Sequence, residues 1–234
     1  MEQDRRIFVG LIGGIGPKST SLFVQKLINS EAITKKKTPP FMLYTNTDVD
    51  VSGPNALSQL QDTISVIKQT GVTHIGMICN TAHKYINQLR ESFPSLTFID
   101  MIGSVCKLVE DSQPKGYRAA LVGTKGVCSS DLFTKYLKKG TVVVPDQELV
   151  DHIDKLTFSV LSGNMSDVDG VSMTEKFTNI MLDLKKSSNV DVFILACTDL
   201  TAVLNDLDHL KLKGLVVVDP LDILTKCVLD LYQK

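Results

Sequence analysis

The sequence predicts an α/β fold made of two pseudo-symmetric parallel-sheet domains with a cleft between them. Three observations carry this. Short apolar runs alternate with amphipathic segments along the whole chain, and a β-α-β-α order implies a parallel sheet covered on both faces. The stretch RIFVGLIGGIGPKSTSLFVQKL resembles RAALVGTKGVCSSDLFTKYL further on. Two apolar runs stop at a cysteine followed by small polar residues: His74 to Ile78 before Cys79-Asn80-Thr81-Ala82-His83, and Val192 to Ala196 before Cys197-Thr198-Asp199. Gly13 lies 66 residues before Cys79 and Gly123 lies 74 before Cys197, so the unit is duplicated.

In order, Arg6 to Ile12 reads as a strand, and Gly13-Gly14-Ile15-Gly16-Pro17 as the turn after it. Pro17 suits a first helical position, with Leu22, Phe23, Leu27 and Ile28 at helical spacing. Phe41 to Thr45 is a strand, Asn46 to Pro54 a polar loop and Ala56 to Gln69 an amphipathic helix ended by Gly71. The strand into Cys79 precedes a helix from about Ala82 to Ser92, broken by Pro94. Leu96 to Ile99 reads as a strand, Ile102 to Val109 as a helix and Arg118 to Val122 as a strand. Gly123-Thr124-Lys125-Gly126 is the next turn, with a helix starting over Leu132 to Leu137 and a strand over Thr141 to Val144. Gln147 to Leu161 and Glu175 to Lys186 are helical, separated by the polar, glycine-containing stretch Ser162 to Gly170. After the strand into Cys197 come a helix near Leu200 to Leu204, a strand over Leu215 to Val218, and a C-terminal helix opened by Pro220. The last strand and helix are left over from the second repeat and are expected to rejoin the first lobe. The expected domains are therefore 1–103 with 217–234, and 104–216. Hinges fall near Asp100 to Ser104 and Lys213 to Val217.

A chain of 234 residues, 43% hydrophobic, has area for a substantial core. A formal net charge of −1 argues against nucleic acid or an anionic membrane as partner. The basic runs, Lys35-Lys36-Lys37 and Lys138-Lys139, sit between elements and read as solvated charge. The N-terminus lacks a signal pattern and no apolar run is long enough to span a bilayer, so a cytoplasmic protein is expected. Five cysteines without CxxC spacing imply neither a disulfide nor a zinc framework.

Each cysteine is expected at the C-terminal end of a parallel strand, where open α/β sheets bind ligands. A following helix N-terminus would favour the thiolate. One cysteine alone reads as a small buried hydrophobe. Two at the same place in a repeat read as two bases facing one substrate, whereas Cys106, Cys128 and Cys227 lack that context. The first glycine turn is not a phosphate loop, because Pro17 separates Gly16 from Lys18, and a dinucleotide loop would need glycine at Ser19. It suits an anionic ligand at a helix start, or only a tight turn. Cys79 and His83 are four apart without a third metal ligand, so His83 reads as a capping or orienting residue. His74, His152 and His209 have no evident partner.

The chain resembles the aspartate/glutamate racemase family, closest to its aspartate racemase branch. Gly13 to Pro17 looks like the family's opening loop, and Cys79 to His83 like its first cysteine motif. Ala196-Cys197-Thr198-Asp199 looks like the second, there usually Gly-Cys-Thr-Glu, and Val218-Asp219-Pro220 also fits. The resemblance implies an isomerase, commonly a homodimer, acting on a small amino acid or related carboxylate without pyridoxal phosphate, metal or nucleotide. Its mechanism uses two bases: Cys79 and Cys197 would exchange the α-proton from opposite faces. Asn80, Thr81 and Thr198 would surround the substrate carboxylate, and Asn46 and Thr124 match positions lining the family's cleft. For Asn46 plain turn formation, and for Thr124 helix capping, are the competing readings. Aspartate racemases carry an arginine where this chain has Ser52, and a lysine where it reads Gly163-Asn164-Met165-Ser166-Asp167. Without those cations a second carboxylate would stand unpaired, with Asp48, Asp50 and Asp167 worsening matters if they face inward and only Lys18 and Lys125 as substitutes. The expectation is a neutral or basic substrate. Two alternatives remain at this stage: a one-cysteine isomerase or decarboxylase of a small carboxylate, and a binding protein on the same scaffold.

Overall fold

The computed structural model describes residues 7–30, 40–163, 171–204, 210–211 and 213–232. Its first strand, β1 (Val9–Gly13), is buried throughout and leads into α1 (Pro17–Asn29), with Pro17 in the first helical turn. There follow β2 (Phe41–Thr45), α2 (Ala56–Lys68), β3 (His74–Met77), a 3₁₀ turn (Thr81–Tyr85), α3 (Ile86–Ser92), β4 (Thr97–Phe98) and α4 (Met101–Ser112). The second half runs β5 (Arg118–Val122), α5 (Lys125–Cys128), α6 (Asp131–Thr134), β6 (Thr141–Val143), α7 (Gln147–Leu161), α8 (Met173–Ser188), β7 (Val192–Leu195), a 3₁₀ turn (Thr198–Ala202), β8 (Val217–Val218) and α9 (Pro220–Leu231).

Two four-stranded parallel sheets result, ordered β2-β1-β3-β4 and β6-β5-β7-β8. Each belongs to its own compact unit, 1–104 with 221–234 and 105–220. Each unit has its own apolar core, one around Ile12, Ile64, Ile75 and Leu89, the other around Val122, Phe177, Phe193 and Leu195. The central strands are apolar on both faces because helices cover both, as parallel sheets require. No helix among the described residues is long and apolar enough to cross a membrane.

Strand register makes the duplication exact in position. Val9 pairs with His74 and Ile12 with Met77; Ala119 pairs with Val192 and Val122 with Leu195. Gly13 therefore corresponds to Gly123, and Cys79 to Cys197. On the next strand, Phe98 opposite Ile75 corresponds to Val217 opposite Phe193, so Asp100 corresponds to Asp219.

Several boundaries differ from the sequence expectation. β8 does not rejoin the first unit: Val217 and Val218 pair with Phe193 and Ile194, completing the second sheet as β4 completes the first. Only the C-terminal helix returns. Asp222 of α9 pairs with Lys26 at 2.5 Å, and the Tyr232 hydroxyl donates to the Pro40 carbonyl. α8 is longer than Glu175 to Lys186 because Ser172 caps it, accepting from the Glu175 amide, and Asn189 ends it in the left-handed region at φ 48°. The helices expected directly after both cysteines begin instead as 3₁₀ turns. Lys35-Lys36-Lys37, Asn164 to Gly170 and His209 lie outside the described residues.

Candidate functional site

In the first unit the Ile78 amide makes the last backbone bond to the central strand, donating to Ile12 at 2.9 Å, and Cys79 is the next residue. In the second, Ala196 donates to Val122 at 2.7 Å, and Cys197 is next. Both cysteines thus leave the sheet at one equivalent point, the carboxyl end of a strand adjoining the central one. Cys79 is 8% exposed and Cys197 is half-buried.

The loop after Cys79 is held by His83, which is 1% exposed. Its Nδ1 lies 2.8 Å from the Cys79 carbonyl, and its Nε2 lies 3.3 Å from the Met101 amide. An amide can only donate, so Nε2 is the acceptor and the proton sits on Nδ1, which donates to Cys79. Burial pushes the imidazole pKa down; the backbone of Cys79, the Asp100 carboxylate and the backbone of Ile99 oppose this, and Arg90 adds to it. Both ring nitrogens are used internally, which suits the orienting role and leaves no lone pair for a metal. Among the described residues no group of three His, Cys, Asp or Glu could hold one. Asp100 completes the start of α4 by accepting from the Gly103 amide at 2.7 Å.

In the second unit, Cys197 caps its 3₁₀ turn, its carbonyl accepting from Leu200 at 3.1 Å. Thr198, Asp199 and Thr201 are all buried, and the Thr201 hydroxyl donates to the buried Asp219 carboxylate at 2.9 Å. Thr201 stands four residues past its cysteine, as His83 does. Neither Thr201 nor Asp219 was singled out as a site residue from the sequence, although Thr201 stands at the same spacing from Cys197 as His83 from Cys79, and Asp219 matches Asp100 in strand register.

The remaining sequence candidates fall as follows. Asn80 is buried and Thr81 half-buried at the start of the first turn. Asn46 is half-buried at the end of β2 and is engaged in its own loop. Its Oδ1 accepts from the Asp48 amide, its Nδ2 donates to Thr63 at 2.9 Å, and its amide bonds Gly13. This is turn formation, the competing reading. Thr124 is half-buried and precedes α5, but its side chain makes no capping bond; only its carbonyl accepts from Val127 and Cys128. Lys125 is not a spare cation: its Nζ meets Asp151 at 2.8 Å. Ser52 is exposed, as are Asp48 and Asp50, and Asp50 accepts from the Ser52 amide. Cys106 and Cys128 are engaged elsewhere. The Cys106 thiol donates to Phe133, and that of Cys128 to Leu121. Burial, with Asp154 nearby, pushes the Cys128 pKa up to about 12. A recess of about 520 Å³ beside Cys128, floored by Leu121 and Val143, lies within the second unit.

Two parallel four-stranded sheets, each with a cysteine at the same strand end, make a duplicated α/β fold. The sequence profile of Asp/Glu/hydantoin racemases matches residues 12–228, and the chain belongs to that family. It is 25% identical over 235 residues to the broad-specificity amino-acid racemase RacX of Bacillus subtilis (strain 168), covering 96% of this chain and 97% of that one. The fold is similar to that of an aspartate racemase homologue from Pyrococcus horikoshii OT3, with a TM-score of 0.76, 21% identity, and coverage of 97% of this chain and 99% of the other. It is also similar to that of the Picrophilus torridus aspartate racemase, with a TM-score of 0.74, 23% identity, and coverage of 97% and 95%.

Proposed function

We propose that this chain racemises an amino acid other than aspartate or glutamate, without a cofactor, using Cys79 and Cys197 as the acid/base pair. The observation that supports it most is the equivalence of the two cysteines in strand register, one residue past the last bond to β1 or β5. A thiolate on one cysteine takes the α-proton, breaking C–H and forming S–H. The thiol of the other gives its proton to the opposite face, and the roles exchange in reverse. The carbanion's charge spreads into the substrate carboxylate, where donors from Asn80, Thr81, Thr124 and Thr198 would stabilise it. Asn46 is the weakest member of this set, since its side chain already closes its own turn.

The substrate reading rests on the missing cations. Ser52 stands where aspartate racemases carry arginine, and Lys125 is paired with Asp151. A side-chain carboxylate desolvated without a partner would cost several kcal/mol, roughly enough to disfavour Asp and Glu strongly. The broad specificity in the name of the Bacillus subtilis relative agrees with a substrate outside that pair. A homodimer, which sedimentation would establish, is part of this proposal.

The test is proton exchange in deuterated water across the common amino acids, read by NMR at the α-position. Deuteration with loss of configuration for neutral or basic amino acids is expected. A clear preference for Asp would overturn the substrate reading. Cys79→Ser and Cys197→Ser should each abolish racemisation; full activity in either variant would replace the two-base reaction with a one-cysteine one.

A further inference from the structure

We propose that His83 and Thr201 are positioning residues, each pinning its cysteine-bearing loop to the segment that follows the neighbouring edge strand. This rests on the two-cysteine reading above. Four features support it.

The two side chains stand at the same offset, four residues past Cys79 and Cys197, and both are buried. Each reaches across to an equivalent place. His83 meets the Met101 amide, one residue past Asp100, and Thr201 meets Asp219 itself. Both contacts are long-range in sequence, 18 residues apart in each unit, so each ties two separate loops at the carboxyl edge of its sheet. The difference in residue type also has a reason. At the start of α4, Met101 offers an N–H that needs an acceptor, and a neutral imidazole supplies one while donating from its other nitrogen to Cys79. The equivalent position at the start of α9 is Pro220, which has no N–H. With no donor to satisfy there, the tie runs instead from a hydroxyl to the carboxylate of Asp219. One task is solved twice, under different local hydrogen-bond demands.

The bond from His83 to Cys79 fixes the peptide plane following the cysteine, and with it the direction in which the thiol leaves the backbone. Misplacing a proton-transfer group by about an ångström can cost roughly a hundredfold in rate. Loss of one tie should therefore impair one proton transfer and spare the other.

Two histidine variants separate this role from simple support of α4. His83→Asn keeps a donor near the Nδ1 position, and His83→Gln keeps an acceptor near the Nε2 position. Thr201→Val removes the second tie and Thr201→Ser retains its hydroxyl. The readouts are kcat, KM and the primary α-deuterium isotope effect measured separately from each enantiomer. We expect His83→Gln to lose about ten- to a hundredfold in kcat with little change in KM. Its isotope effect should rise from the enantiomer deprotonated by Cys79 and stay unchanged from the other. Thr201→Val should give the mirror image, with Thr201→Ser restoring the balance; His83→Asn keeps only the bond to Cys79 and should fall with His83→Gln. Equal changes in the isotope effect from both enantiomers, or a wild-type isotope effect in His83→Gln, would overturn the proposal in favour of a purely structural cap.

A second readout works even if no amino acid is racemised. Alkylation by iodoacetamide, followed by mass spectrometry, should change several-fold at Cys79 alone in His83→Gln and at Cys197 alone in Thr201→Val. Unchanged rates at both would overturn the tie. Altered rates without racemisation by the wild type would leave the tie standing and remove the proposed reaction.

Discussion

Gly123 passes so close to Ala196 that a Cβ on it would come within 2.7 Å of the Ala196 carbonyl carbon and 2.9 Å of the Cys197 amide. The loop after β5 thus runs against the backbone that carries the second cysteine, and neither atom can yield as a flexible side chain would. Gly123→Ala should push Cys197 aside. The expected outcome is a folded protein destabilised by about 1–3 kcal/mol, with racemisation reduced more than tenfold. Thermal melting beside turnover measures both, and wild-type turnover in the variant would refute it.

Gly14 is constrained differently. It has φ 90°, and a Cβ there would lie 2.7 Å from the Asn46 amide nitrogen. Gly14→Ala combines left-handed strain with a backbone clash and should cost more than about 1 kcal/mol. Gly126, inside α5, has open space where a Cβ would go, so Gly126→Ala should be neutral or stabilise by up to about 1 kcal/mol. Urea unfolding of the two variants gives opposite signs if this is right.

The buried His83 predicts acid sensitivity. Its folded pKa lies below the usual 6.5, chiefly through burial, so the unfolded chain takes up a proton that the native state resists. Stability is therefore full above about pH 6.5 and falls as pH drops through that value toward the lower folded pKa. His74, also lowered by burial, adds to the same slope. His83→Gln should flatten the decline between about pH 6.5 and 5, measured by denaturant midpoints across pH. An unchanged slope would mean the buried imidazole is not its source.

The second unit has its own polar anchor. Tyr117, 2% exposed, donates to Glu110 at 2.6 Å, and the amides of Lys138 and Lys139 donate to the same carboxylate. Burial works against the ionised carboxyl, but these three bonds outweigh it and hold its pKa down. Tyr117→Phe should cost about 1 kcal/mol, and Glu110→Ala more, because it removes all three bonds. Equal costs would show that the two amide bonds contribute nothing.

Much of this was legible in the sequence. The apolar runs, the repeated glycine turn and the two cysteine motifs announced parallel α/β units, and strand register aligns Gly13 with Gly123 as the repeat suggested. His83 could be read as an orienting residue from its place after Cys79. Less legible was β8: Val217 and Val218 form a two-residue strand whose partner is decided by edge pairing with β7, which no local pattern encodes. The 3₁₀ turns after the cysteines were hidden for a similar reason. Asn80-Thr81 and Thr198-Asp199 look like helix caps, yet neither side chain at the cap positions makes a capping bond.

What the sequence alone determined was the class of fold, the duplication and the position of each cysteine at a strand end, because periodicity and glycine-containing turns are local properties. Only the tertiary structure decided that His83 reaches Met101, that Thr201 reaches Asp219, and that Lys125 is spent on Asp151. Those pairings join residues 18 to 26 positions apart through the packing of separate strands and helices, and hydrogen-bond partners at that separation are set by where the chain comes together.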